Sequence, residues 1–193
     1  MDTLNILLLI VLPYLALLVF LFGSIYRYRN NGFKVTSISS QFLEGKKLFW
    51  GSIPFHYGIG ITFLGHLLAF LFPSGIIAWN GEPWRLLLLE FTGFAFGLSA
   101  VVGMVGLIFR RLTTSRIRIV TSKMDGVILG LLLVQLVLGV LIAYYQRWGS
   151  SWFAATLTPY LWSIFKFNPQ ISAVSAMPWL VKSHIIGAYL IIL

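Results

Sequence analysis

Cysteine is absent from the 193 residues of this chain. The chain therefore forms no disulfide, does not attach haem c covalently, and cannot hold an iron–sulfur cluster with thiolates of its own. Acidic residues are also scarce, since five Asp and Glu stand against 14 Lys and Arg. Histidine occurs only three times, which restricts any imidazole-based site to very few positions.

Charged residues of either sign make up only 10% of the chain, whereas hydrophobic residues make up 59%. A soluble domain carries about 25% charged residues, so this deficit predicts an integral membrane protein. The positive net charge does not indicate nucleic-acid binding, because no basic–aromatic binding motif accompanies it. Ten of the 14 basic residues instead lie in two short clusters between apolar segments: Arg27, Arg29, Lys34, Lys46 and Lys47, then Arg110, Arg111, Arg116, Arg118 and Lys123.

Apolar segments of about 20 residues, the length that crosses a bilayer, recur along the sequence. A fifth segment begins at about Pro178 and is still apolar at Leu193, so we expect the natural chain to continue beyond this residue. The first segment has no basic residue before it and is followed by Arg27 and Arg29, which predicts a retained span rather than a cleaved signal peptide. We predict an all-α membrane protein with one domain, 1–193, and five transmembrane helices, of which the complete ones cover 3–26, 51–72, 86–109 and 124–145.

The two basic clusters also predict the orientation. Short loops rich in Lys and Arg stay in the cytoplasm, so the N-terminus faces outward and the C-terminus faces the cytoplasm of a cell whose inner membrane holds the protein. The long outer connection 147–177 carries apolar residues at helical spacing, which predicts a short interfacial helix interrupted by Pro159. Six of the seven tryptophans fall on the outer side, as in an interfacial aromatic belt: Trp79, Trp84, Trp148, Trp152, Trp162 and Trp179.

All three histidines, His56, His66 and His184, lie within predicted spans. Ionisable groups at membrane depth are costly and usually mark function, although a single buried histidine can simply bond a neighbouring helix. His66 and His184 lie at similar depths on antiparallel helices, which suits two axial ligands of one haem iron. Nearby glycines either make room for a flat macrocycle or let helices pack closely, and both interpretations stay open: Gly58, Gly60, Gly65 and Gly187.

His56 lies ten residues before His66, about 15 Å nearer the cytoplasm. No other histidine in the sequence matches its depth. A partner on the fifth helix would lie at or beyond residue 193, so we expect the continuing chain to supply another histidine there.

The sequence contains the motifs Phe55-His56-Tyr57-Gly58, Gly65-His66, Arg110-Arg111-Leu112 and Ser183-His184. Together they resemble the gamma subunit of respiratory nitrate reductase, a membrane di-haem cytochrome b. Ser39-Ser40-Gln41, Ser115-Arg116-Ile117-Arg118 and Gln135 with Leu138-Gly139 fit the same pattern. Related subunits occur in sulfite- and heterodisulfide-reductase membrane complexes, so these acceptors remain an alternative to nitrate.

The resemblance implies two b haems. His66 and His184 would ligate the outer haem, and His56 with a histidine beyond residue 193 would ligate the inner one. Arg111 matches a family position near a haem propionate, and Arg110 and Ser39 are further candidates for that haem edge. For both arginines, the topological role of cytoplasmic loop charges is the alternative.

The resemblance also implies that quinol binds near Gly65 and His66. The family uses a lysine in an outer loop, and Arg85 is the nearest basic residue here. The implied protein oxidises quinol near the outer face and passes electrons inward to an iron–sulfur beta subunit and a molybdenum-containing alpha subunit on the cytoplasmic side. Glu90 could accept a quinol proton, but a boundary carboxylate is the plainer interpretation.

Two rival functions belong to other classes. A proton channel or transporter could relay protons through the three histidines, although such proteins usually carry acidic partners in mid-membrane. A structural anchor without a cofactor is the second rival. Reducible visible absorption bands would distinguish a haem b protein from both.

Overall fold

The computed structural model describes residues 3–31 and 43–193. Every regular element among these residues is helical, which confirms the predicted all-α class for that part of the chain. Ser39, one of the predicted haem-edge residues, lies outside the described residues.

Within the described ranges, four helices are long and apolar enough to cross a membrane. We label them α1 (Thr3–Ile6, Leu7–Val11 and Leu12–Asn31 in continuous succession), α2 (Lys46–Leu71), α3 (Pro83–Thr113) and α4 (Lys123–Tyr145). The fifth helix, α5 (Trp179–Ile192), has only 14 residues. The count of five spans and the orientation of the termini therefore stay predictions.

Short helices occupy the connections. They are Pro73–Trp79, Ser115–Ile119, Gly149–Trp152, Phe153–Leu157, Thr158–Phe165 and Ser172–Ser175. We call the end of the bundle that carries Leu71, Pro83, Tyr145 and Trp179 the outer end, following the predicted orientation.

Helices α2 and α3 approach each other backbone to backbone. A Cβ added at Gly58 would lie 2.5 Å from the Ala100 backbone N and 2.6 Å from the Phe96 carbonyl oxygen. A Cβ at Gly103 would overlap the backbone of Phe55 and the Gly51 carbonyl. Glycine spacing on both helices thus permits a contact that any side chain would block, as in close membrane helix pairs.

The long helices form an open row rather than a closed ring. Among the described residues, α2 packs on α3, α3 on α4, α4 on α5, and α5 on α1. Helices α2 and α5 have little direct packing on each other. The two helices that carry His66 and His184 are therefore not packed against each other, and we call the separation between them the gap.

The segment Gly149–Phe165 bridges this gap at the outer end. The Thr158 hydroxyl donates to the Ala69 carbonyl of α2 (3.1 Å), and the Trp162 indole donates to the neighbouring Phe70 carbonyl (3.2 Å). The Tyr14 hydroxyl of α1 donates to the Ile164 carbonyl (3.1 Å). The predicted helical character of this segment is confirmed, and its apolar face packs into the core beside Leu9, Ala16 and Val181.

A proline explains one of these bridges. In an α-helix the Leu9 carbonyl would accept from the amide of residue 13, but Pro13 has no amide hydrogen. The backbone widens into a π-turn over Leu7–Val11, and the Tyr160 hydroxyl donates to the Leu9 carbonyl at 2.8 Å. The connection thus supplies a hydrogen bond that the helix itself cannot make.

Candidate functional site

His66 lies on α2, one turn below the outer end. Its Nδ1 lies 2.7 Å from the Thr62 carbonyl oxygen. A carbonyl can only accept, so Nδ1 carries the proton and Nε2 is left with a free lone pair. The edge of the ring meets Phe153 of the bridging segment, with centroids 5.2 Å apart at 87°.

His184 lies on α5 against the backbone of α4. A Cβ added at Gly139 would lie 3.2 Å from His184 Cε1, 3.7 Å from Nε2 and 4.0 Å from Nδ1. The Gln135 side-chain amide donates to the His184 carbonyl at 2.7 Å. His184 Nδ1 is buried and has no hydrogen-bond partner among the described residues.

The two rings share one region of the molecule. His66 lies five residues before Leu71 and His184 five residues after Trp179, so each lies about 7.5 Å below its helix end. The structure therefore brings these two predicted ligands to the same depth on either side of the gap between α2 and α5.

His56 repeats the geometry of His66 nearer the predicted cytoplasmic end. Its Nδ1 lies 2.7 Å from the Ser52 carbonyl oxygen, which again leaves Nε2 with the lone pair. The ring is exposed, and Phe55 meets it edge-on at 5.1 Å. Among the described residues, His56 belongs to no group of three or more His, Cys, Asp or Glu side chains that could hold a metal ion.

The four glycines singled out in the sequence divide into two kinds. Gly58 packs against α3, and Gly187 lies under the Gln135 amide oxygen. Gly60 and Gly65 have open space where a Cβ would be. Close helix packing thus explains the first two, and open space beside His66 is left by Gly65.

Arg110 is buried at 4% exposure near the start of α2. Its Nε donates to a Glu44 carboxylate oxygen at 2.8 Å, and its Nη2 donates to the Glu44 backbone carbonyl. The Lys47 backbone amide, which donates to Glu44, and the Arg110 guanidinium lower the pKa of this carboxyl. The pair fastens the end of α3 to the start of α2.

Arg111 binds the start of α4. Its Nη1 lies 3.2 Å from an Asp125 carboxylate oxygen and donates to the Thr121 hydroxyl at 3.2 Å. Asp125 also closes a capping box with Ser122 at the first turn of α4. The predicted role of Arg110 and Arg111 at a haem propionate therefore competes with these protein partners.

Arg85 lies at the outer end of α3 among tryptophans. Its guanidinium carbon lies 5.5 Å from the Trp79 ring centroid and 5.9 Å from that of Trp84, and an Nη nitrogen lies 3.8 Å from Glu82. Its Nε is buried with no hydrogen-bond partner among the described residues. An aromatic-lined cation with an unused donor can bind an oxygen of a small molecule.

Glu90 caps the bridging segment. Its carboxylate accepts from the backbone amides of Gly149 (3.2 Å) and Ser150 (2.8 Å) and from the Ser150 hydroxyl (2.6 Å). Through these three hydrogen bonds the carboxylate ties α3 to Gly149–Phe165. This contact agrees with the plainer interpretation of Glu90 over a proton-acceptor role.

Lys182 is a buried cation that the motif analysis did not single out. It is 6% exposed, donates to the Ser175 carbonyl at 3.2 Å and lies 4.1 Å from the Trp179 ring centroid. A lone lysine inside an otherwise apolar helix was the available signal. It lies two residues from His184, which places it on the opposite side of α5.

A family model described as nitrate reductase gamma subunit matches residues 5–193, a range that contains all three histidines. The chain belongs to this family. It is 34% identical over 184 residues to the nitrate reductase gamma chain of Bacillus subtilis (strain 168), covering 94% of this chain and 82% of that protein. The resemblance stated from the sequence is therefore confirmed.

Two Escherichia coli (strain K12) relatives support the same assignment. The respiratory nitrate reductase 1 gamma chain is 36% identical over 146 residues, or 73% of this chain, and the nitrate reductase 2 gamma chain is 34% identical over 129 residues, or 66% of it. This chain spans 63% and 57% of their respective lengths.

Proposed function

We propose that this chain is the haem b membrane subunit of a respiratory nitrate reductase in the cell inner membrane. It would oxidise quinol near the outer face and pass electrons inward through two b haems. An iron–sulfur beta subunit would receive them and feed a molybdenum-containing alpha subunit that reduces nitrate. Family membership and the paired positions of His66 and His184 support this proposal.

The residues present fit a haem between α2 and α5. A neutral imidazole binds iron through the nitrogen that lacks a proton, and His66 Nε2 is that nitrogen. The Thr62 carbonyl orients its ring, as the outer partner of a metal-bound histidine usually does. His184 presents a second imidazole from the other side of the gap, and the haem, when bound there, supplies one-electron redox chemistry.

The chain's own residues would prepare the quinol step. Gly65 leaves open space beside His66, and the aromatic-lined Arg85 has an unused donor. A quinol oxygen held by such a donor would be oriented toward the outer end, where its protons can leave to water. These 193 residues contain no cysteine to hold an iron–sulfur cluster, which supports a partner subunit as the holder of the next carrier after the haems.

The inner haem would use His56, whose Nε2 is free in the same way as that of His66. Its second ligand, expected beyond residue 193, stays a prediction. Arg111, Arg110 and Ser39 are proposed to lie at the edge of this haem, where the arginines would exchange a carboxylate partner for a propionate or share it.

Visible spectroscopy of the purified membrane complex tests the proposal. We expect dithionite-reducible b-type bands in the wild type and their partial loss in the His66→Ala and His184→Ala variants, with quinol oxidation lost in both. Tyr57→Phe, an exposed position on the same helix as His66, is the matched control and should keep all haem. Full haem content and full quinol oxidation in His66→Ala would refute the assignment.

A further inference from the structure

The imidazole of His184 packs against α4. Gly139 makes this contact possible, because a Cβ there would lie 3.2 Å from His184 Cε1, which is tighter than ordinary van der Waals contact. Gln135 lies one turn earlier on the same face of α4 and holds the His184 backbone through its 2.7 Å hydrogen bond. Glycine at 187 leaves room for the Gln135 amide, whose oxygen a Cβ there would overlap.

Burying a polar side chain in the apolar contact between α4 and α5 costs free energy unless the side chain is hydrogen-bonded. Gln135 is the polar residue nearest the middle of α4, and its Oε1 is buried with no partner among the described residues. His184 Nδ1 is likewise buried without a partner. An unpaired acceptor and an unpaired ring nitrogen at the same contact between α4 and α5 can each supply the hydrogen-bond partner that the other lacks.

We infer that Gln135 and Gly139 are positioning residues that set the plane and basicity of the His184 imidazole. This inference rests on the proposed function, in which His184 Nε2 faces the haem iron. Gly139 limits the tilt of the ring, and Gln135 fixes the His184 backbone and offers its unpaired Oε1 as an acceptor for a hydrogen bond from Nδ1–H. Outer partners of this kind orient a metal-bound histidine and raise its electron donation.

The first test replaces Gly139, which contacts the His184 ring, in the full-length protein within its membrane complex. Gly139→Ala adds a methyl group against the ring, whereas Gly130→Ala adds the same group to α4 where a Cβ would meet no neighbouring atom within 4 Å. Electron paramagnetic resonance of the low-spin ferric haem depends on the relative orientation of its axial imidazole planes. We expect the g-values of one haem to shift in Gly139→Ala and to stay at wild-type values in Gly130→Ala.

The second test removes the hydrogen-bonding side chain. Gln135→Leu keeps similar volume but neither donates nor accepts, and Val134→Leu places the same side chain one residue away at an exposed position. Without an acceptor for Nδ1–H the imidazole donates less to ferric iron, so the midpoint potential of this haem should rise. We expect a shift equivalent to about tenfold in the redox equilibrium, which is about 59 mV for one electron, and no shift in Val134→Leu.

The outcomes separate this inference from the function on which it rests. A wild-type complex without reducible haem overturns both. A haem-loaded wild type whose g-values and potentials are unchanged in Gly139→Ala and Gln135→Leu overturns only the positioning role. Equal changes in the matched controls would also overturn it, because they would reveal a general response of α4.

Discussion

Burial of the Arg110 guanidinium is matched by the carboxylate and the carbonyl of Glu44. Removing one member of a buried ion pair leaves the other charge desolvated, which is costly. The pair lies where α3 ends and α2 begins, outside the apolar part of either helix. Its contribution to stability should therefore respond to pH in water.

The pH response follows from the lowered pKa of Glu44, which the Lys47 amide and Arg110 hold below the ordinary 4.5. A carboxyl whose pKa is lower in the folded state stabilises the fold above the ordinary value and loses that contribution as pH falls through the lowered one. We expect Glu44→Gln to unfold at a lower temperature than the wild type at neutral pH, and the difference to shrink in acid. Thermal unfolding in detergent across this range measures it.

An exposed carboxylate provides the control for that experiment. Glu82→Gln, at a pair separated by 3.8 Å in which Glu82 is 56% exposed, should change the unfolding temperature little at any pH. A Glu44→Gln deficit that stays constant or grows toward acid pH would contradict the assigned role of the pair.

At the scale of elements, the bridging segment supplies a hydrogen-bond donor that α1 lacks. Pro13 leaves the Leu9 carbonyl without a helical donor, and the Tyr160 hydroxyl takes its place. Tyr160 is 1% exposed and also accepts from the Tyr189 hydroxyl at 3.3 Å. This single hydroxyl therefore connects α1, the bridging segment and α5.

A double-mutant cycle tests whether the hydrogen bond from Tyr160 compensates for the missing amide at Pro13. Tyr160→Phe should reduce the free energy of unfolding by about 1–3 kcal/mol, because a buried carbonyl loses its donor. Pro13→Ala restores an amide at position 13, so Tyr160→Phe should cost less in that background. Unfolding in mixed micelles measures both costs, and Tyr144→Phe, at an exposed tyrosine, should cost little in either. Equal costs of Tyr160→Phe in the two backgrounds would refute the coupling.

The sequence predicts the long helices well because bilayer thickness imposes a minimum apolar length. Their ends differ by several residues: α1 was expected to end at Tyr26 and continues to Asn31, and α2 was expected to begin at Gly51 and begins at Lys46. Apolar runs mark only the hydrocarbon part of a helix, whereas hydrogen bonding continues into the polar interface. The equal depth of His66 and His184 was predictable from the same counting.

The surroundings of those histidines were not predictable in this way. Contact between His184 and Gly139 requires α5 to lie beside α4, and no spacing within either helix specifies its neighbour. The sequence alone allows Arg110 and Arg111 to be either loop charges or propionate partners. The structure adds their ion pairs with Glu44 and Asp125. Local sequence patterns thus predict the depth of a residue in the membrane and the helix face on which it lies. Its contact partners depend on which helices are neighbours, and those patterns do not specify this.

At the scale of the whole molecule, orientation in the membrane can be tested directly because the sequence contains no cysteine. Single cysteines introduced as Lys166→Cys and Arg118→Cys would lie at exposed positions on opposite sides of the predicted bilayer. An impermeant maleimide should label Lys166→Cys in intact spheroplasts and Arg118→Cys only after permeabilisation, because the basic connections stay in the cytoplasm. The reverse pattern would overturn the predicted topology.

The row order of the helices has a consequence for biosynthesis. Among the long helices described, α1 packs closely on α5, the one that the ribosome makes last. At about 5–20 residues per second, α1 waits on the order of ten seconds for that neighbour. During this interval lipid is its main solvent, and α1 carries the most apolar 18-residue window of the four candidate spans. Its composition thus suits a helix that must be held in the bilayer by its own side chains before the protein that surrounds it exists.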